Sequence, residues 1–304
     1  YEATPELPWR AADPEPDSTA LNLAVMTRFF RHSLRIRKLG ILMREEQNNA
    51  RAFDRILVNS IFSRESALRA YGLPAEVCYL GIDTEMFVDQ GLERERSLIS
   101  VGAIVPAKAI ERSIEAVAAM TPPRPKLDLI GDVANPDYQK YLEQLASHRN
   151  VELNIRVKVS DSELVASLNR ATAMIYTPRL EPFGFAPLEA SACGLPVVGI
   201  NEGGVRETVR NGVNGFLVDA DPATIARTLE NVFADPNVAR RLGATARDLV
   251  RREWTVDRAI DRLEAVLYEV VDTAKRGVGS QLDPMTQNDH PKILTETPGK
   301  KTKP

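Results

Sequence analysis

From Ser97 onward, short apolar runs alternate with stretches of helix length, and this alternation admits few folds. Strands are expected at Leu98–Val101, Leu127–Ile130, Val151–Asn154, Ala173–Tyr176 and Pro196–Gly199. Helices fit Ala109–Ala119, Asp137–Ala146, Asp161–Arg170, Pro187–Cys193, Pro222–Phe233 and Val238–Arg252. Strands spaced by helices of this length are joined by crossovers, which run right-handed and make the strands parallel. A parallel sheet is covered on both faces, so its strands read as continuous apolar runs rather than alternating ones. The expected fold class is therefore α/β, with helices on both sides of one parallel sheet.

The 304 residues suffice for one large domain or two modest ones, and 43% hydrophobic with 27% charged residues is a globular composition. A net charge of −3 argues against general nucleic-acid binding. Cys78 and Cys193 lie far apart with no second Cys or His cluster nearby, which fits reduced, buried thiols in a cytosolic protein better than a disulfide or a zinc site. No run approaches eighteen apolar residues, so no transmembrane helix is expected.

Ahead of the alternating region, residues 18–52 carry Leu21, Val25, Phe29, Leu34 and Ile41 at helical spacing against Arg28, Arg31, Arg35 and Lys38, with Gly40 as a possible break. Residues 27–55 hold an excess of basic over acidic side chains, a pattern that suits either a solvated helix face or an anionic membrane surface. A strand is expected at Arg55–Asn59, then a helix capped by Ser63 and ending near Tyr71–Gly72, then a short strand at Val77–Tyr79. A last helix should open at Trp254–Val256 and reach about Tyr268. After Asp272 the composition turns to Gly, Pro, Lys, Thr and Gln, which is that of a disordered tail.

The chemistry concentrates in Glu181-Pro182-Phe183-Gly184-Phe185-Ala186-Pro187-Leu188-Glu189, between the strand ending at Tyr176 and a helix closed by Gly194. Glu181 falls at the carboxyl end of a strand, and Glu189 falls on the helix that follows. In parallel α/β sheets ligands bind at this edge, where helix N-termini offer unpaired N–H groups to anions. A carboxylate there can accept sugar or ribose hydroxyls while amides take phosphate oxygens. After the next expected strand come Gly203-Gly204-Val205-Arg206-Glu207 and Asn211-Gly212-Val213-Asn214-Gly215-Phe216-Leu217-Val218. On the first strand's turn, Gly102 lets backbone approach a ligand and Lys108 carries a charge that can neutralise a diphosphate.

This array, with Gly194-Leu195-Pro196-Val197-Val198 after the second glutamate, resembles the retaining, nucleotide-sugar-dependent glycosyltransferases of family 4, which have the GT-B architecture of two Rossmann-like domains. The resemblance covers roughly residues 50–270. It implies a partial N-terminal, acceptor-side domain (1–85), a linker (86–96), a C-terminal nucleotide-sugar-binding domain (97–253), a helix crossing back (254–272) and a tail (273–304). The first 85 residues are too few for a complete first domain, so the resemblance implies a fragment. It also implies a site: Glu181 contacting the donor sugar's hydroxyls on the leaving-group face, Glu189 accepting both ribose hydroxyls, and Lys108 binding phosphate beside Gly102. Phe183, Gly184, Phe185, Ala186 and Leu188 fall on the donor-binding stretch. Val157 falls on the turn that meets the base, a turn that usually carries a glycine. The family's arginine after the first glycine is replaced by Ala103, leaving Arg179 or Arg206 to share the phosphate charge.

The expected reaction is transfer of a hexose from a nucleotide diphosphate sugar to an acceptor hydroxyl with retention, by front-face attack, with no cofactor beyond the sugar co-substrate and no obligatory metal ion. The acceptor is a glycan, a lipid-linked sugar or a small molecule, and the location implied is cytoplasmic, with membrane contact through residues 27–55 as an option. His32, His148 and His290 suggest no general base, and Tyr1 or Glu2 falls roughly where the family often has a histidine. The other readings are a fragment that binds the nucleotide sugar without transfer, and a nucleotide-sugar epimerase, whose pattern lacks the paired glutamates at this spacing.

Overall fold

In the computed structural model residues 23–281 are described, with side chains described for 36–276. Tyr1, Glu2 and His290, and the side chain of His32, lie outside this range. The chain divides into two compact units, Tyr1–Leu263 and Glu264–Pro304, and the described part of the second is the continuation of the last helix. Helix α1 (Leu23–Ala50) precedes β1 (Leu57–Val58), α2 (Ile61–Tyr71) and β2 (Glu76–Val77), with β1 and β2 forming a parallel pair. There follow β3 (Ser97–Val101), α3 (Glu111–Ala119), β4 (Lys126–Gly131), α4 (Pro136–Arg149), β5 (Leu153–Val157), α5 (Asp161–Arg170), β6 (Ala173–Tyr176) and α6 (Phe185–Ala192). The chain continues through β7 (Val197–Ile200), α7 (Val205–Thr208), β8 (Gly215–Val218), α8 (Pro222–Ala234), α9 (Pro236–Glu253) and α10 (Val256–Gln281).

Strands β3 to β8 form one parallel sheet in the order β5-β4-β3-β6-β7-β8. The chain steps outward from β3 to β5, then returns to lay β6 on the other side of β3. Such a reversal opens a crevice at the carboxyl ends of the two central strands, because their following loops depart to opposite faces. Pairing is short at this point. β3 and β6 share two register pairs, Leu98↔Ala173 and Ile99↔Met174, whereas β3 and β4 stay paired from Ser97↔Lys126 to Val101↔Ile130.

Successive strand residues point to opposite faces, and the core divides accordingly. Ile99, Ile130, Met174 and Val197 meet Leu168 of α5, Leu188 of α6 and Val250 of α9. Leu98, Leu129, Ile175 and Val198 meet Ile114 of α3, Leu142 of α4 and Leu229 of α8. Apolar runs with no polar alternation are what a sheet covered twice requires, and the expected α/β fold is found.

Several local expectations need correction. β5 begins two residues later than expected and runs to Val157; it is an edge strand, half-buried along most of its length, so its apolar run is broken by Asn154 and Arg156. β8 and α7, each of four residues, were not anticipated as elements. α1 passes through Gly40 without a break. Ser60, not Ser63, caps α2, its hydroxyl accepting the Ser63 N–H at 2.9 Å. The polar stretch expected to be a tail from residue 273 is helical as far as Gln281. Of the cysteines, Cys193 is buried and Cys78 half-buried, both free thiols. No described helix is long and apolar enough to cross a membrane.

Candidate functional site

A cleft of about 370 Å³ opens at the reversal point. Val101 reaches it from the end of β3, Gly102 and Lys108 from the loop that follows, Gly131 and Asp132 from the end of β4, and Lys158, Val159 and Asp161 from the β5–α5 turn and the start of α5. Tyr176 and Glu181 come from the β6 loop, and Phe185, Ala186 and Glu189 from the start of α6.

Its centre is an ion pair between segments far apart in sequence. The Lys108 ammonium donates to a Glu181 carboxylate oxygen at 2.5 Å, with side chains 28% and 14% exposed. The backbone on both sides of Lys108 is fixed: the Ala107 carbonyl accepts from Arg179 N–H at 3.2 Å, and the Ala109 carbonyl accepts from the Thr177 hydroxyl at 3.1 Å. The β3 and β6 loops are thereby bolted together before any ligand arrives, the condition under which charges act without reorganisation. Gly102 stands at φ 146°, a backbone conformation that L side chains rarely adopt, and its nearest side-chain neighbour is Lys108.

The electrostatics are unbalanced around α6. Burial, and then the neighbouring Asp161 carboxylate, raise the Glu189 carboxyl from its usual 4.5 to about 7. Burial, followed by the charges of Glu181 and Glu189, lifts the Tyr176 phenol well above its ordinary range, so it remains a hydrogen-bond donor. The helix that carries Glu189 starts at Gly184, whose φ is 98°, and no side chain caps it. Its first N–H groups and their partial positive charge are free of an internal side-chain partner. The cleft thus offers a fixed ammonium, an uncapped helix start and two carboxylates, which suits an anion joined to a polyhydroxyl group.

Gly102, Lys108, Glu181, Phe185, Ala186 and Glu189 are brought together here. Phe183, Gly184 and Leu188 are not among the cleft's walls. Leu188 belongs to the core, and Phe183 is 2% exposed, packed edge-on to Phe185 and tilted against Trp254. Val157 does not reach the cleft either; Lys158 and Val159 do. Lys158 stands at φ 59°, a conformation uncommon outside glycine, in the turn where the family pattern carries glycine. That missing glycine was the available signal for Lys158. Tyr176 and Asp161 had none, because their roles come from long-range packing. Arg179 is paired with Glu111 at 3.6 Å, and Arg206 is exposed with its Nε on the Gly203 carbonyl; neither lines the cleft. Lys158 is the second basic group there.

Residues 82–249 match the family described as Glycosyl transferases group 1. The chain is 32% identical over 270 residues to a D-inositol 3-phosphate glycosyltransferase of Thermomonospora curvata, covering 78% of this chain and 61% of that protein. It is 26% identical over 197 residues to the N-acetyl-alpha-D-glucosaminyl L-malate synthase of Bacillus anthracis, covering 64% and 51%. The chain therefore spans between half and two thirds of the length of these relatives. Among solved structures, Anabaena HepE in complex with UDP-glucose aligns with a TM-score of 0.69 at 23% identity, over 75% of this chain and 67% of that one. A likeness at that identity carries the fold, the parallel α/β arrangement of GT-B glycosyltransferases.

Proposed function

The chain belongs to the Glycosyl transferases group 1 family, and from that premise we propose that its cleft binds the nucleotide diphosphate sugar of a retaining hexosyltransferase. The observation that carries this reading is the Lys108–Glu181 pair at the β3/β6 reversal, with Glu189 one helical turn into α6. In the proposed complex the Lys108 ammonium and the α6 amino end take the diphosphate, and their charge stabilises it as it leaves. Glu189, once ionised, accepts the ribose hydroxyls. Glu181, released in part from Lys108 by the incoming phosphate, accepts hydroxyls of the hexose. Lys158 and Val159 border the base.

With Glu181 engaged on the sugar's hydroxyls, the reading is front-face attack by the acceptor rather than a glycosyl intermediate on Glu181. The acceptor is a glycan, a lipid-linked sugar or a small molecule hydroxyl. A cytoplasmic enzyme touching an anionic membrane through α1 is consistent with exposed Ile36, Leu39, Leu42 and Met43 beside Arg37, Lys38 and Arg44. Co-sedimentation with vesicles containing phosphatidylserine tests that contact.

Calorimetric titration of the 304-residue chain with UDP and GDP tests the cleft. One nucleotide should bind, and Glu189→Ala should weaken that binding by about 100-fold. Binding that survives both Glu189→Ala and Lys108→Ala would move the donor elsewhere. Mass-spectrometric trapping of a glycosyl adduct on Glu181 would replace front-face attack by double displacement.

A further inference from the structure

Gly203-Gly204-Val205-Arg206-Glu207 stands out in the sequence, yet none of it lines the cleft. Its two glycines lie against the back of the loop that carries Glu181. A β-carbon on Gly203 would fall on the Glu181 backbone, and one on Gly204 would fall on the Pro182 carbonyl. Only glycine permits so close an approach, and it lets the Gly204 N–H donate to the Glu181 carbonyl at 2.7 Å.

From this position α7 directs Glu207 away from the cleft, to α2. A helix start leaves N–H groups without internal partners. In α2, Ile61 N–H donates to Glu207 at 2.8 Å and Phe62 N–H to its second oxygen at 3.1 Å, while Ser63 N–H goes to Ser60. A carboxylate some 145 residues away thus completes the cap of α2. The Tyr79 hydroxyl, just beyond β2, donates to the same carboxylate at 2.7 Å. Burial, then its bond to Glu207, pushes that phenol up to about 12, so it stays a donor. A second tie runs in parallel, the Ser60 hydroxyl donating to the Pro182 carbonyl at 2.5 Å. Tyr79 and Phe183 also share the ring of Trp254, at 5.2 and 5.7 Å.

We propose that Glu207 is a positioning residue: a clasp that fixes the β1–α2–β2 segment to the back of the Glu181 loop, so that the placement of α2 and the shape of the cleft are set together. The consequence for ligand affinity rests on the nucleotide-binding reading above; the clasp itself does not. The experiment compares wild type, Glu207→Ala and Glu207→Gln by amide hydrogen exchange, then by titration with UDP and GDP. In Glu207→Ala, exchange should rise about tenfold or more at Ile61 and Phe62 and also at Gly204, and affinity for whichever nucleotide binds should fall roughly tenfold. Glu207→Gln keeps one acceptor oxygen and the same length, so it should fall between the two and supply the answer if the alanine variant does not fold. Faster exchange confined to Ile61 and Phe62, with Gly204 protected and affinity intact, would reduce Glu207 to a local cap and overturn the proposal. Should the wild type bind neither nucleotide, the donor reading fails while exchange at Gly204 still decides the clasp.

Discussion

The two ends of the central sheet make an instructive contrast. The larger hollow, about 700 Å³, lies at the amino ends of the strands among Arg94, Arg96, Arg240 and Arg247. Size and positive charge would make it the obvious anion site. Yet Arg94 donates to the carbonyls of Leu168, Ala171 and Cys193, Arg96 holds Pro123 and lies over Phe233, and Arg247 pairs with Asp89. The charge of Arg94, Arg96 and Arg247 is already used in closing helix ends and loops, and Arg240 donates to the Asn237 side-chain oxygen at 2.7 Å. The cleft at the carboxyl ends is about half as large, but its groups are left at odds: a buried glutamate beside another acid, and an uncapped helix start. On the reading proposed above, unbalanced electrostatics rather than volume separates the donor site from a structural hollow.

That contrast can be broken at either end. The largest effect expected is at the cleft, where Lys108→Ala and Glu189→Ala should each weaken nucleotide binding by about 100-fold. Arg240→Ala, in the amino-end hollow, should leave the calorimetric titration unchanged; an equal loss there would erase the distinction. Arg94→Ala should do the reverse, lowering stability in urea by about 3 kcal/mol, because three carbonyls lose their charged donor, with the affinity of the folded protein intact.

Glu189 gives the next effect, with a pH signature. Its carboxyl is raised from 4.5 to about 7, so the ligand-free fold is favoured while the group is protonated and loses stability as pH climbs through that interval. Glu189→Gln should therefore be more stable than wild type in urea at pH 8, by roughly 3 kcal/mol, and match it at pH 4. Nucleotide affinity should run the other way, rising about tenfold per pH unit below 7 and levelling above it, if the ionised form accepts the ribose. The smallest effect belongs to Lys158→Ala, an exposed charge at the rim, with a loss of about threefold at low salt that fades as salt is added.

Much of this was legible from the chain. β6 and α5 fall on their expected boundaries, β6 because its four residues are buried throughout, α5 because Ser160 and Glu163 form a capping box that is visible as a sequence pattern. Lys108, Glu181 and Glu189 meet because strand-end loops of a parallel sheet converge. What could not be read depended on partners distant in sequence. Phe183 looks like a ligand contact until Trp254 is seen beside it, and Glu207 looks like a surface acid until α2 arrives above it. β8 and α7 are too short for any periodicity to register, and α10 continues through residues whose composition suggests disorder.

The brief pairing of β3 with β6 has a mechanical consequence. With two register pairs at that line, the sheet is two stiff three-stranded plates joined by a short weld, and the cleft sits where the weld stops. The strand ladder is briefest along this line, where the Lys108–Glu181 pair already ties the two loops, and any molecule that grips Lys108 on one plate and the head of α6 on the other serves as an additional rivet. Occupancy would then be felt as rigidity across the whole sheet rather than as order in the loops alone.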